Sequence, residues 1–203
     1  MGSKTASSDS PAAATARAGA RVALGLGSNR GDSRAILRAA AADLSAFLAE
    51  ARLSSLYESE PLYVEDQPRF INAAVTGYCA LAPYDLLSRI HEVEARFGRD
   101  RSRERRRGQR TLDVDILLYG DSVIDEPPAL QIPHPGLRER KFALLPLLEL
   151  WPDAADPRDR SPLADLLAVL PPQGIYYADL APYNPPNGRG DDGRGAELSP
   201  QGI

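Results

Sequence analysis

The apolar positions change period several times along the chain, and each change marks an element. Val22, Leu24 and Leu26 alternate with small residues in a short strand, Val22–Leu26, that runs into Gly27-Ser28-Asn29. From a capping Asp32 or Ser33 the spacing turns helical, through Ile36, Leu37, Ala40, Leu44, Phe47 and Leu48. Leu53–Tyr57 reads as a strand. After a loop through Glu60-Pro61-Leu62 and Asp66-Gln67-Pro68, strand character returns over Phe70–Tyr78, carried by Ile71, Val75 and Tyr78. Pro83 suits the first turn of a second helix, with Leu86, Ile90, Val93 and Phe97 as its buried stripe and Gly98 as its end. An Asp113-Val114-Asp115 strand follows, then a Gly120-Asp121 turn and short strands near Val123 and over Leu130–Ile132. Phe142–Leu150 reads as a further helix and Leu163–Leu170 as a short last one. The order strand-helix-strand-strand-helix-strand predicts an α+β, ferredoxin-like domain, a mostly antiparallel sheet flanked by helices packed on one face.

Composition sets the limits of that domain. The 203 residues suffice for one good core, placed over residues 21–170. Residues 1–20, rich in Ala, Ser and Thr, read as a disordered leader. Residues 171–203 read as a largely disordered tail, Pro-, Gly- and Asp-rich from about Pro182. A net charge of -4 argues against a general nucleic-acid or membrane binder. The one cysteine, Cys79, excludes an internal disulfide and fits a reducing cytoplasm; it reads as a small buried hydrophobe. No apolar run approaches the roughly 18 residues of a membrane span. Ala6 stands where myristoylation needs Ser or Thr. A monomer is the default expectation.

The candidate chemistry lies in several short segments. On a strand, Asp113 and Asp115 point the same way while Val114 faces the other layer. Adjacent carboxylates on a rigid strand repel unless cations lie between them, and hard oxygen ligands with little protein cage suit Mg²⁺ completed by substrate phosphates. Immediately upstream, Arg99 to Arg110 holds seven arginines and two acids, which together with the carboxylate pair suggests a polyphosphate lying between them. Phe70 and Asn72 share a strand face, an aromatic beside an amide, suited to a flat heterocycle through stacking and directional hydrogen bonds; a core Phe70 and a turn-capping Asn72 is the bland alternative. Proline on both sides of His134 fixes its backbone, which favours a ligand role over a mobile one, and Arg138, Arg140 and Phe142 follow; a generic helix lead-in with exposed charges is the competing account. Gly27-Ser28-Asn29 reads as a tight turn, with its backbone N–H groups a candidate anion cradle; it is neither a P-loop nor a dinucleotide fingerprint. Glu94 and His91 read as helix-surface residues.

Taken in order, these segments resemble the 6-hydroxymethyl-7,8-dihydropterin pyrophosphokinase family. The resemblance covers about Val22 to Trp151. It rests on Leu26-Gly27-Ser28-Asn29, Tyr57-Glu58-Ser59-Glu60-Pro61-Leu62, Asp66-Gln67-Pro68 through Val75, and Glu94. It continues through Gly98-Arg99, Arg110 through Ile116, Pro133-His134-Pro135 and Arg140-Lys141-Phe142. The resemblance implies transfer of the β,γ-diphosphate of ATP to a pterin hydroxymethyl oxygen, with release of AMP, in folate biosynthesis. It implies that Asp113 and Asp115 hold two Mg²⁺ ions, and that Phe70 and Phe142 sandwich the pterin. Asn72 would read the ring edge, helped by Ser59, Pro61 and Leu62. Glu94, Arg99, Arg101, Arg110, Ile116, His134 and Arg140 would serve ATP, with Arg99, Arg110, Asp113 and Asp115 catalytic. Arg103 or Arg105 could replace Arg101.

One segment departs from the family pattern. Arg106-Arg107-Gly108-Gln109-Arg110 stands where the family usually reads Arg-Trp-Gly-Pro-Arg, in a loop about one residue longer. The expectation is altered closure over the substrates, with Arg107 stacking by cation–π contact in place of the tryptophan. Two rival readings keep part of the pattern. A nucleotidyl transferase on the same core would attack the α-phosphorus and release pyrophosphate. An RNA-binding sheet would need clustered aromatics on its central strands, where Phe70 is the one good candidate.

Overall fold

Strand β1, Ala20–Ser28, pairs along its whole length with β4, Phe70–Cys79, and on its other side with β5, Asp113–Tyr119. The computed structural model describes residues 19–61, 67–99 and 108–179. Beyond β4 lie β2, Ala49–Leu53, and β3, Leu56–Ser59, which take successive halves of the same edge. A last strand, β8 (Ile175–Asp179), pairs with β3, so the sheet runs β5-β1-β4-β3-β8 with every pair antiparallel. β6, Ile124–Glu126, and β7, Leu130–Ile132, form a separate hairpin.

The helices are α1 (Ser33–Leu44), α2 (Pro83–Arg96), α3 (Lys141–Leu150) and α4 (Leu163–Val169). Asp32 caps α1 by accepting the Ala35 N–H at 3.1 Å. Pro83 opens α2, and Gly98 follows its end at φ +80°, a left-handed position that glycine adopts without strain.

The ferredoxin-like order of strands and helices is as expected, but the helices lie on both faces. Alternation along β1 sends Val22, Leu24 and Leu26 into a core with α1 and α2. Ala23 faces the other way, with Ala74 and Leu117, under Leu144, Leu147 and Leu150 of α3. That second face is built of small residues, which is why it does not read as a core in the sequence. Each fully buried leucine in either layer contributes roughly 2 kcal/mol, so neither helix layer is dispensable.

Other boundaries shift for local reasons. The strand expected over Leu53–Tyr57 is two, broken where the Ser54 hydroxyl takes the Ala74 N–H at 2.9 Å. Phe47 and Leu48 pack on the core from beyond the end of α1 rather than from its face. Val123 precedes β6 and is 53 % exposed. The domain does not stop at residue 170, because β8 completes the sheet from within the segment read as tail. Residues 1–18 and 180–203, the bulk of the expected leader and tail, lie outside the described residues.

Candidate active site

The second face of the sheet is bare at one end, and there it forms a cleft. Gly25 and Gly27 stand on β1 between Asp115 and Asp113 on one neighbour and Ala74 and Asn72 on the other. A side chain at Gly25 would meet Leu117 at 3.1 Å, and one at Gly27 would meet Asn72 Oδ1 at 3.6 Å. Two glycines thus make a flat floor, and Leu117 can lie over Gly25 because β5 bulges there, its register slipping between Ala23 and Leu24. Phe70, Phe142, Ser59, Glu60 and Gln67 border this floor, and Arg110, His134 and Arg140 close its charged side.

Asn72 is held before any ligand arrives. Its amide nitrogen donates to Ser59 Oγ at 2.9 Å and to the Tyr57 carbonyl at 3.4 Å, which turns its carbonyl oxygen toward Gly27. Asn29 does a similar job for the loops. Its backbone N–H donates to the Arg110 carbonyl at 3.0 Å, and its side-chain oxygen accepts the Arg110 N–H at 2.8 Å. Its side-chain nitrogen donates to Pro68 O and Gln67 Oε1. The Asn29 N–H is therefore spent on Arg110 rather than offered to an anion; Gly27 and Ser28 are the paired end of β1 rather than a tight turn, and Asn29 just after them pins both loops to the cleft rim.

The two carboxylates differ. Asp113 has both oxygens engaged, Oδ1 by Arg99 and Oδ2 by Arg110. The same Arg99 nitrogen pairs with Glu94, which is 1 % exposed and accepts the Val114 N–H at 2.9 Å. Asp115 carries the strain of the pair. Burial, then the charge of Asp113, pushes its pKa up from 3.8 to about 7, against the pull of Arg140 and Arg110. Its side chain keeps 44 % of its surface open to the cleft, so an ion can reach it. A strained, accessible carboxylate beside a second one, both hard oxygen donors, is a fit for a divalent cation such as Mg²⁺. Among the described residues no third His, Cys, Asp or Glu joins them, which leaves room for phosphate oxygens.

His134 stands over Asp115. Its backbone N–H donates to Leu117 of β5 at 3.1 Å, and its Nδ1 accepts the Gly136 N–H at 3.1 Å. Burial, then the charge of Arg140, lowers its pKa to about 4, so the ring is neutral near pH 7. With Nδ1 accepting, the proton sits on Nε2, 3.8 Å from Asp115 Oδ2 and aimed into the cleft as a neutral donor. The guanidinium of Arg140 lies 5.8 Å from the centre of the Phe142 ring and against Gly136, where a Cβ would come within 2.5 Å of it. Gly136→Ala should therefore displace Arg140 without straining the backbone. Steady-state assays would show KM for a phosphate-bearing substrate raised about tenfold and the melting temperature nearly unchanged, by loss of one charged contact.

A second outcome concerns the apo protein. Because Asp115 binds a proton more tightly when folded, its contribution to stability is full below its ordinary pKa of 3.8 and is lost as pH rises through about 7. His134 contributes oppositely over about 4 to 6.5, since its folded pKa is lowered. Asp115→Asn removes the first contribution and leaves the second. Melting curves should show the variant gaining on wild type steadily between pH 4 and 7, and a constant gap across that range would contradict the assignment.

Most of the expected site residues meet in this cleft: Ser59, Phe70, Asn72, Arg110, Asp113, Asp115, His134, Arg140 and Phe142. Glu94 is no surface glutamate; it is buried behind β5 and anchors Arg99. Ile116 points into the α1–α2 core, 4 % exposed, so its side chain does not face the cleft. Pro61 lies at the edge of the described loop, outside the cleft lining. Leu62, Arg101, Arg103, Arg105 and Arg107 lie outside the described residues. Sequence reasoning missed Gly25 as floor and Asn29 as loop anchor; two glycines one residue apart on a strand were the available signal for the first.

Comparison with known proteins gives this geometry a family. Residues 23–152 match the family model of 7,8-dihydro-6-hydroxymethylpterin-pyrophosphokinase (HPPK). A 2-amino-4-hydroxy-6-hydroxymethyldihydropteridine pyrophosphokinase of Pseudomonas aeruginosa is 44 % identical over 160 residues, spanning 76 % of this chain and 94 % of that protein. The protein of the same name from Aquifex aeolicus is 41 % identical over 147 residues, 72 % of this chain and 89 % of that one. Among solved structures, Plasmodium falciparum HPPK-DHPS superposes with a TM-score of 0.58 at 16 % identity, over 73 % of this chain and 44 % of that larger one, a likeness of fold alone. On the family match and the two bacterial relatives, this chain belongs to the 7,8-dihydro-6-hydroxymethylpterin-pyrophosphokinase family.

Proposed function

We propose that this chain transfers the β,γ-diphosphate of ATP to the hydroxymethyl oxygen of 6-hydroxymethyl-7,8-dihydropterin, giving AMP and the pterin diphosphate for folate synthesis. The observation that carries it is the single cleft in which an aromatic–amide end, Phe70, Phe142 and Asn72, abuts a charged end, Asp113, Asp115, Arg110, His134 and Arg140. The pterin lies flat on the glycine floor between the two phenylalanines, and the fixed Asn72 carbonyl accepts from its ring N–H groups. Ser59 and Glu60 border that end, and the family resemblance adds Leu62 to it.

At the charged end Asp113 and Asp115 would hold Mg²⁺, two ions by the family resemblance, whose charge neutralises the phosphates and favours the ionised alcohol. Arg110 and Arg140 position the phosphate oxygens, with Arg101 expected to join from the flap. His134 adds an uncharged N–H donor. Arg99, tethered by Glu94, balances Asp113 from behind. AMP departs with its charge matched by arginine, so positioning and electrostatics do most of the catalysis. Among the described residues that line the cleft, none is assigned as a dedicated general base. The protein is taken to act as a cytoplasmic monomer, a setting that suits its buried Cys79. No helix of the described residues is long and apolar enough to cross a membrane.

Product analysis tests the reading. With ATP, Mg²⁺ and the pterin, wild-type protein should release AMP, and only when the pterin is present. Release of pyrophosphate in its place would move the chemistry to the α-phosphorus and support the nucleotidyl-transferase reading.

A further inference from the structure

The segment after α4 lies beyond the family match, which stops at residue 152, yet it reaches the cleft. Helix α3 begins at Lys141 behind Arg140, whose side chain makes no capping hydrogen bond. The cap comes from elsewhere: Gln173 Oε1 accepts the Lys141 N–H at 2.9 Å, and Gln173 Nε2 donates to the Glu139 carbonyl at 2.8 Å. These two backbone groups belong to the residues on either side of Arg140. One side-chain amide thus fixes the peptide units flanking the arginine, and with them the first turn that carries Phe142.

The next residues hold the opposite wall. The Gly174 carbonyl accepts the Glu60 N–H at 3.3 Å, and Ile175 pairs with Ser59 as β8 begins. Gly174 sits at φ +58°, and a Cβ there would come within 2.9 Å of the Glu60 carboxyl, so the crossing needs glycine. We propose that Gln173 is a positioning residue for the reaction, clamping the Arg140–Phe142 wall of the cleft to the Ser59–Glu60 wall. This rests on the pyrophosphokinase reading for its kinetic consequence, though not for the clamp itself.

In the full chain, Gln173→Ala should raise KM for the pterin about tenfold, as expected for loss of a hydrogen-bonded pair. The melting temperature should stay within about 4 °C of wild type. Gln173→Glu keeps the acceptor for Lys141 and loses the donor to Glu139, so its KM should fall between the two; it serves as the test if the alanine variant does not fold. Hydrogen exchange at the Lys141 amide reads the clamp without catalysis and should accelerate about tenfold in Gln173→Ala. An unchanged pterin KM in folded variants, or a loss confined to kcat in step with lost stability, would overturn the proposal. So would an unchanged exchange rate at Lys141. Absence of AMP from wild type, with faster exchange in the variant, would sink the assigned reaction and leave the clamp standing.

Discussion

Asp115→Ala will cut pterin-dependent AMP formation on the order of 10³-fold, and the apo variant will be no less stable than wild type above pH 7. The two effects run in opposite directions for one reason. With its pKa pushed up to about 7 by burial and by Asp113, the Asp115 carboxylate is held at a cost that only a cation relieves. Deleting it relieves the apo protein and removes an oxygen donor from the charged end of the cleft. Asp113 makes a poorer probe, because its removal also strips Arg99 and Arg110 of a partner and disturbs the Glu94 anchor. The checks are AMP quantitation at saturating ATP and thermal melts at pH 8 with and without Mg²⁺. Wild type should be stabilised by the ion and the variant should not. A variant that melts early in the absence of Mg²⁺ would show instead that Asp115 supports the fold, and the activity loss would then say nothing of chemistry.

What could be seen in advance was whatever period two or a short motif exposes. Asp113 and Asp115, and Phe70 and Asn72, each fall on one strand face by spacing alone, and both pairs do face the cleft. The strand and helix order was equally plain because Val22, Leu24 and Leu26 or Leu86, Ile90 and Val93 are large and regularly spaced. The rest was hidden by smallness or by distance. Ala23, Gly25 and Gly27 look like the solvent side of β1, yet they make the floor of the cleft and the seat of α3. The bulge at Leu117 shifts a side chain by one position, which no alternation rule foresees. Glu94 looks like any helix glutamate until the fold places it behind Val114. Gln173 and β8 follow a Pro-Pro pair, and their value comes from partners far away in sequence, Lys141 and Ser59.

Arg99→Met will destabilise the protein by about 3–5 kcal/mol, because it breaks the ion pair of Arg99 with the buried Glu94 carboxylate. At 1 % exposure Glu94 is shielded from solvent, so losing the charge of Arg99 beside it is costly even with the Val114 N–H kept. Against a total stability of about 5–15 kcal/mol, that loss brings the variant close to unfolding and accounts for inactivity without reference to ATP. The double variant Glu94→Gln, Arg99→Met separates the two roles. Glutamine still accepts the Val114 N–H, the buried Glu94–Arg99 charge pair is removed as a unit, and denaturant unfolding should recover to within about 1 kcal/mol of wild type. AMP formation should nevertheless stay about 10²-fold down, because one of the two arginines on Asp113 is gone and Arg110 is left there with less positive charge beside it as ATP enters. A stable double variant with near wild-type rates would make Arg99 an anchor for the strand and nothing more. Stable and slow, it would place the arginine in the reaction, held in position by the buried Glu94 carboxylate.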